Sequence, residues 1–214
     1  MELSVSEIFY SIQGESLYAG LPCAFVRLAG CNLRCRYCDT AYAYSNGTRM
    51  AIEDIVRALE AFQCPLIEVT GGEPLLQPGA PELIAELLDR NYRVLLETNG
   101  TFNIAAVDSR CVRIMDVKCP GSGEADKTDF SNLDRLQPED QVKFVLTDRG
   151  DYEYAKNLLL DRWPDGPPAA VLFSPAKGLL DPAVCAEWIL KDHLPVRLQL
   201  QIHKILWPET ARGV

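Results

Sequence analysis

Residues 31–40 read Cys31-Asn32-Leu33-Arg34-Cys35-Arg36-Tyr37-Cys38-Asp39-Thr40, two residues after the apolar run Ala24-Phe25-Val26-Arg27-Leu28. Three thiols within eight positions make a soft ligand cluster, the kind that takes zinc or an iron–sulfur centre. Structural zinc closes with four ligands, and a four-iron cluster also has four corners. Three local cysteines leave one corner open, which is where a cofactor or substrate can bind. A zinc knuckle completed by Cys23, Cys64 or another cysteine is the competing reading, although the spacing lacks the usual two pairs on separate turns.

A second segment, Leu66-Ile67-Glu68-Val69-Thr70-Gly71-Gly72-Glu73-Pro74, has the same shape: an apolar run followed by a polar turn. Paired glycines let a ligand approach the backbone and free its N–H groups. Further apolar runs predict strands at Arg93–Thr98, Val112–Val117, Gln141–Leu146, Ala170–Ser174 and Val196–Leu200, each short and suited to burial on both faces. Amphipathic stretches alternate with them. Ile52, Ile55, Val56, Leu59 and Phe62 form one stripe, and Leu83, Ile84, Leu87 and Leu88 another after Pro81. Tyr152, Ala155, Leu158 and Leu159 form a third, with Asp151 as its expected N-cap. Asp181-Pro182 reads as an N-cap and first helical position, turning Val184, Trp188 and Ile189 inward. Gly121–Asp129 and Pro164–Pro168 read as loops.

Strand–helix alternation implies an α/β fold with a parallel sheet, in one domain over residues 1–214. Six or seven strands are too few for a complete eight-fold barrel. An incomplete, TIM-like β/α barrel fits best, with an open doubly wound sheet as the alternative. Polar residues gather where the strands end: the cysteine loop, Thr70-Gly71-Gly72-Glu73, Glu97-Thr98-Asn99, Asp116 with Lys118, Ser174, and Gln199, Gln201 and His203. That edge carries the active site in parallel α/β folds.

Composition narrows the class. The formal net charge of −9 argues against a nucleic-acid surface, and no stretch is apolar enough for a membrane span. The N-terminus lacks a signal-peptide pattern, so a cytoplasmic protein with reduced or metal-bound cysteines is expected.

The cysteine run with Tyr37 before its last thiol, together with Gly71-Gly72-Glu73-Pro74, resembles the radical S-adenosylmethionine superfamily. The resemblance implies a 4Fe-4S cluster on Cys31, Cys35 and Cys38, its fourth iron chelating S-adenosylmethionine. One-electron cleavage then gives a radical that abstracts hydrogen from substrate. Phe9-Tyr10-Ser11-Ile12-Gln13-Gly14-Glu15-Ser16, Arg27, Asp39-Thr40, Met115–Gly123 and the Leu198–Trp207 tail extend the likeness over essentially the whole chain. These segments are similar to the 7-carboxy-7-deazaguanine synthase family. Members convert 6-carboxy-5,6,7,8-tetrahydropterin to 7-carboxy-7-deazaguanine with loss of ammonia, feeding 7-deazapurine pathways such as queuosine.

Carried over by position, the resemblance implies substrate contacts from Ile12, Gln13, Gly14, Arg27, Thr70 and the terminal carboxylate of Val214. Tyr37, Cys38, Asp39, Gly72, Lys118 and Ser122 would meet S-adenosylmethionine, and the Thr40 hydroxyl would ligate Mg²⁺. A homodimer and a flavodoxin- or ferredoxin-like electron donor are also implied. Read physically, Gln13 offers donors and an acceptor to a heterocycle edge, and the Arg27 fork suits a carboxylate. Arg27 could equally sit in a buried ion pair, and Asp39-Thr40 could simply cap the next turn. Cys119 is expected as a free thiol and His203 as a structural histidine. Cys23, Cys64, Cys111 and Cys185 are expected in the core. No side chain is assigned as a general base. A glycyl-radical-enzyme activase shares both motifs, and a non-catalytic iron–sulfur or zinc module stands as a reading of another class.

Overall fold

The computed structural model describes residues 1–208, 212 and 213. Its strands are β1 (Glu2–Ile12), β2 (Pro22–Leu28), β3 (Thr48–Ala51), β4 (Leu66–Gly71), β5 (Arg93–Thr98), β6 (Val112–Asp116), β7 (Gln141–Leu146), β8 (Ala170–Pro175) and β9 (Arg197–Leu198). The helices are α1 (Ile52–Glu60), α2 (Ala80–Asp89), α3 (Arg149–Arg162), α4 (Pro182–Lys191) and α5 (His203–Leu206). One sheet contains all nine strands in the order β3-β1-β2-β4-β5-β6-β7-β8-β9. From β2 onward every pairing is parallel, while β1 runs antiparallel between β2 and β3. The sheet does not close, so the fold is a truncated β/α barrel.

All seven parallel strands fall on the apolar runs of the sequence. The last is shorter than Val196–Leu200, because it pairs only with β8 before the chain turns toward α5. The two antiparallel strands are additions. β1 alternates apolar and polar side chains, with Leu3, Val5 and Phe9 buried, instead of presenting a continuous run. β3 is a four-residue edge strand with two exposed and two half-buried residues. A register shift between Val5 and Glu7 sets Glu7 opposite Arg27.

Two apolar clusters hold the layers. Ile55, Leu59, Leu83 and Leu87 of α1 and α2 pack with Ile67, Val69 and Val94 of β4 and β5. Tyr152 and Leu159 of α3 pack with Phe144, Phe173 and Cys185. Tyr152 is fully buried, and its hydroxyl donates to Asp192 Oδ2 at 3.0 Å. The α3 cap is Asp148, one turn before the expected Asp151, because the Asp148 carboxylate accepts from Asp151 N at 2.9 Å. Asp151 instead ties α3 to two loops, accepting from Gly121 N at 2.7 Å and Thr147 Oγ1 at 2.6 Å. Asp181 caps α4 and accepts from Ala183 N at 2.9 Å. The Gly121–Asp129 loop carries 3₁₀ turns, including Ala125–Lys127.

The gap in the barrel is filled by the loop between β1 and β2. Leu17 N donates to Gln141 Oε1 at 2.8 Å, and Gln199 Nε2 donates to Ser16 O at 3.1 Å. Ile202 N donates to Gly14 O at 3.0 Å, joining the C-terminal segment to the same loop. Gln199 thus ends up beside this plug, and neither it nor Ser174 lines the main cavity.

Below the sheet edge, Arg113 and Asp140 form a buried pair, 3% and 2% exposed, with Nη2–Oδ2 at 2.5 Å and Nε–Oδ2 at 3.0 Å. Removing one partner strands the other charge. Asp140→Ala is expected to lower unfolding free energy by about 3–5 kcal/mol in urea titrations, and a loss under about 1 kcal/mol would show the pair to be energetically idle.

Candidate active site

The parallel register sends alternate side chains to the face away from the helices. Phe25 and Arg27 stand beside Glu68 and Thr70, with Arg27 paired in register with Thr70 and Asp116 with Lys143. Together with the loops that follow the strands they enclose an open cavity of about 1360 Å³, mouth included. Ile12, Gln13, Gly14, Arg27, Thr40 and Thr70 line it, as do Cys31, Cys35, Tyr37, Cys38, Asp39, Gly72 and Lys118. Ser122 does not: its Oγ donates to Cys119 O at 2.6 Å and accepts from Glu124 N at 3.0 Å. Its role is to brace the cysteine loop, since Ser122 O accepts from Arg36 N at 3.0 Å. Val214 lies outside the described residues.

All three cysteines of the loop are half-buried at the cavity wall. Burial pushes the Cys35 thiol up to about 11, with the Asp116 carboxylate and the neighbouring sulfurs adding to it and Lys118 opposing. The loop is held through its backbone. Arg34 N donates to Glu124 Oε1 at 2.8 Å, and the Arg34 guanidinium reaches Cys31 O at 2.9 Å. The other five cysteines are buried, and none lines the cavity. Among the described residues no three His, Cys, Asp or Glu side chains converge as a single-ion site. No fourth sulfur is placed to close a zinc knuckle, whereas three wall thiols with an open fourth corner suit a four-iron cluster.

The glycine turn fits the same picture. A Cβ on Gly72 would strike the Gly30 carbonyl oxygen and lie 2.7 Å from Cys31 Cβ, so the turn and the cysteine loop touch only because Gly72 has no side chain. Glu73 is fully buried and clamps the turn, accepting from Leu75 N at 2.9 Å, Thr98 Oγ1 at 2.8 Å and Asn99 N at 2.6 Å. Two buried polar atoms, Tyr37 Oη and Asp116 Oδ1, have no partner among the described residues. Such atoms invite a polar ligand.

At the other end, Arg27 Nε meets Glu7 Oε1 at 2.7 Å, and Tyr42 Oη donates to the same oxygen at 2.6 Å. The Thr40 hydroxyl makes no capping bond to the turn that follows and lies 3.8 Å from Cys38 Sγ. His203 packs its ring into the space a Gly14 side chain would need. It therefore belongs to the cavity wall, beyond the structural part expected for it.

Sequence reasoning named Glu97, Asp116 and Lys118 at the sheet edge but passed over Lys143, which sits among them. Lys143, 4% exposed by side chain, reaches Glu15 Oε2 at 2.8 Å, Glu97, and Asp116 Oδ2 at 3.5 Å. Lys118 Nζ adds a contact to Asp116 Oδ2 at 2.8 Å. Gln201 Nε2 donates to Glu15 Oε1 at 2.8 Å, and Lys204 Nζ pairs with Asp39 Oδ2 at 2.6 Å. The missed signal is a charge within an apolar strand, as in Gln141-Val142-Lys143-Phe144 and Ile67-Glu68-Val69. Such a charge must find partners or give up its ionisation.

Residues 26–111 match the Radical SAM superfamily. The chain is 49% identical over 99% of its length to the 7-carboxy-7-deazaguanine synthase of Chlorobaculum tepidum, covering 97% of that protein. It is 42% identical to that of Koribacter versatilis, over 99% of this chain and 100% of the relative. The chain belongs to the 7-carboxy-7-deazaguanine synthase family. The fold also matches the crystal structure of QueE from Escherichia coli, with a TM-score of 0.76 at 21% identity over 94% of each chain.

Burial works to raise the Glu15 carboxyl, but Lys143, with help from His203 and Gln201, outweighs it and lowers the group from 4.5 to about 2. A depressed carboxyl stabilises the fold above its unfolded value and loses that contribution as pH falls toward the folded one. Wild-type stability is expected to drop between pH 4.5 and 2 more steeply than that of Glu15→Gln, measured by urea unfolding across that window. Parallel slopes would remove Glu15 from the acid limb.

Proposed function

We infer that this chain is a radical S-adenosylmethionine lyase that converts 6-carboxy-5,6,7,8-tetrahydropterin to 7-carboxy-7-deazaguanine with loss of ammonia, a step of 7-deazapurine (queuosine-type) biosynthesis. The observation that carries this is the placement of Cys31, Cys35 and Cys38, without a fourth sulfur, on the wall of one cavity in a chain 49% identical to such a synthase. When bound by those thiolates, a 4Fe-4S cluster supplies the one-electron cleavage of S-adenosylmethionine that yields the hydrogen-abstracting radical. Gly72 gives the cofactor backbone access, and Tyr37, Cys38, Asp39 and Lys118 stand around the same corner. Asp116 Oδ1 adds an unused acceptor there.

The substrate half is built differently. Ile12, Gln13 and Gly14 present a backbone and amide edge, and Arg27 and Thr70 lie in register beside it. Glu7 and Tyr42 hold Arg27 by its Nε side, which orients the fork for a carboxylate. Mg²⁺ belongs with Thr40, whose hydroxyl is not spent on the following turn. With no cluster of protein ligands among the described residues to complete the shell, substrate oxygens and water would fill it. A homodimer and a flavodoxin- or ferredoxin-like donor complete the reading and rest on the family resemblance. No helix among the described residues is long and apolar enough to cross a membrane. The activase and non-catalytic readings have less support, since the relatives named above are synthases.

Anaerobic reconstitution with iron and sulfide, then reductant, S-adenosylmethionine and the carboxypterin, is expected to give 7-carboxy-7-deazaguanine, and Cys35→Ala to abolish it. Absence of 7-carboxy-7-deazaguanine from the reconstituted wild type would refute the lyase reading. Thr40→Ala is expected to lower activity and weaken its Mg²⁺ dependence in titrations of the metal. An unchanged Mg²⁺ curve would move the ion elsewhere.

A further inference from the structure

Five carboxyl groups line the cavity: Glu15, Asp39, Glu68, Glu97 and Asp116. Among the described residues, four of them have a lysine partner, with Lys143 taking Glu15, Glu97 and Asp116 and Lys204 taking Asp39. Glu68 has none. It projects from the middle of β4 beside Phe25, two residues before Thr70, and is 4% exposed. Its Oε2 accepts from the Gln13 amide nitrogen. That amide is oriented by its own oxygen, which accepts from Glu15 N at 3.0 Å, so an N–H must face Glu68. The second oxygen, Oε1, makes no hydrogen bond among the described residues and is not sealed from the cavity.

The titratable groups facing Glu68 are Glu15 from the loop after β1, Cys23 from β2, Glu97 from β5 and Lys143 from β7. Burial, then the charges of Glu97 and Glu15, push the carboxyl up to about 8, against the Gln13 hydrogen bond and the more distant Lys143. At neutral pH the group keeps its proton, yet it can release one at modest cost. A proton carrier matched to the working pH has this character.

Resting on the reaction inferred above, we propose that Glu68 is the catalytic acid–base residue that carries a proton from a ring carbon of the substrate to the departing amine. As the C–N bond breaks, its electron pair stays with nitrogen and Glu68 Oε1–H supplies a proton to it. The carboxylate so formed, held by the Gln13 amide, takes a proton from a ring carbon, whose C–H electrons become the new ring double bond. Glu68 ends as it began, and substrate gives product plus ammonia with no further reactant. Glu15 and Asp39 are poor carriers because Lys143 and Lys204 outweigh burial and hold their carboxyls below the ordinary value.

The reconstituted holoenzyme tests this. Glu68→Gln keeps the size and the contact to Gln13 but cannot shuttle a proton. Product kcat is expected to fall about 10²–10⁴-fold, with 5′-deoxyadenosine still formed and KM for the carboxypterin within a few-fold. Glu68→Asp is expected to recover part of the rate. The wild-type profile of kcat against pH should decline on the alkaline side with a midpoint near 8, a limb lost in Glu68→Gln. Product formation by Glu68→Gln within three-fold of wild type, or equal loss of product and 5′-deoxyadenosine, would overturn the assignment. A wild-type profile without the alkaline limb would overturn it whether or not the variants fold. If wild type makes no product from the carboxypterin, the reaction itself was misread. If wild type is active and Glu68→Gln is unimpaired, the failure belongs to Glu68 alone.

Discussion

Lys143 is an ammonium buried in the middle of an apolar strand, and the arrangement of the cavity follows from the need to satisfy it. An isolated charge there would cost many kilocalories per mole of solvation, so oxygen atoms from elsewhere in the chain must surround it. They come from three directions: Glu15 from the loop after β1, Glu97 from β5 and Asp116 from β6. The Glu15 contact matters most for architecture. It brings Ser16 and Leu17 against Gln199 and Gln141, and so plugs a barrel whose strands stop short of closure. Lys143 also spends its charge on these three groups. Glu68, on the same face, is left with a neutral amide as its partner.

The cysteine end obeys a different constraint, that of backbone proximity. Gly72 N donates to Leu28 O at 3.2 Å and Glu73 N to Gly30 O at 2.8 Å, lacing the glycine turn to the strand and loop that carry the thiols. Glu73 then anchors that turn to the end of β5 through Thr98 and Asn99. The turn after β4 therefore cannot move without the cysteine loop. Rigid placement of this kind is what one-electron chemistry asks of a protein, because the cofactor supplies the reactivity and the chain supplies aim.

How much of this could be read from residues alone depended on the physical signal each element leaves. Continuous apolar runs marked β2 and β4 to β8, since burial on two faces allows few polar positions, whereas β9 is a two-residue exposed pairing inside its run. β1 escaped because half its side chains face away from the core, and β3 because a half-exposed four-residue edge leaves no hydrophobic trace. Asp148 and Asp151 are three residues apart, and composition cannot tell a cap from a residue of the first turn. The thiols, Gly72, Arg27 and Thr70 were legible because their chemistry is concentrated in motifs. Glu68 and Lys143 were not singled out, since their meaning lies in partners distant in sequence, Gln13 for Glu68 and Glu15 for Lys143. Ser122 differs from these: its hydroxyl is used within its own turn.

The C-terminal segment decides between a small and a polymeric substrate. Ile202 is tied to Gly14, the His203 ring rests on Gly14, and Lys204 bonds to Asp39 of the cysteine loop and to Gln201 Oε1 at 2.8 Å. Lys177 Nζ donates to Lys204 O at 2.6 Å from the β8 side. These bonds join three rims of the cavity across the approach to its substrate half. An activating enzyme must admit a loop of another protein along that path, and a strap fastened to Asp39 and Gly14 narrows it. A bicyclic heterocycle needs only the enclosed space, and it gains from the strap, because each polar group around it is then held in place before binding. Glu68 and Lys143 are both buried, and there a low local dielectric makes their charge states differ most from those in solution.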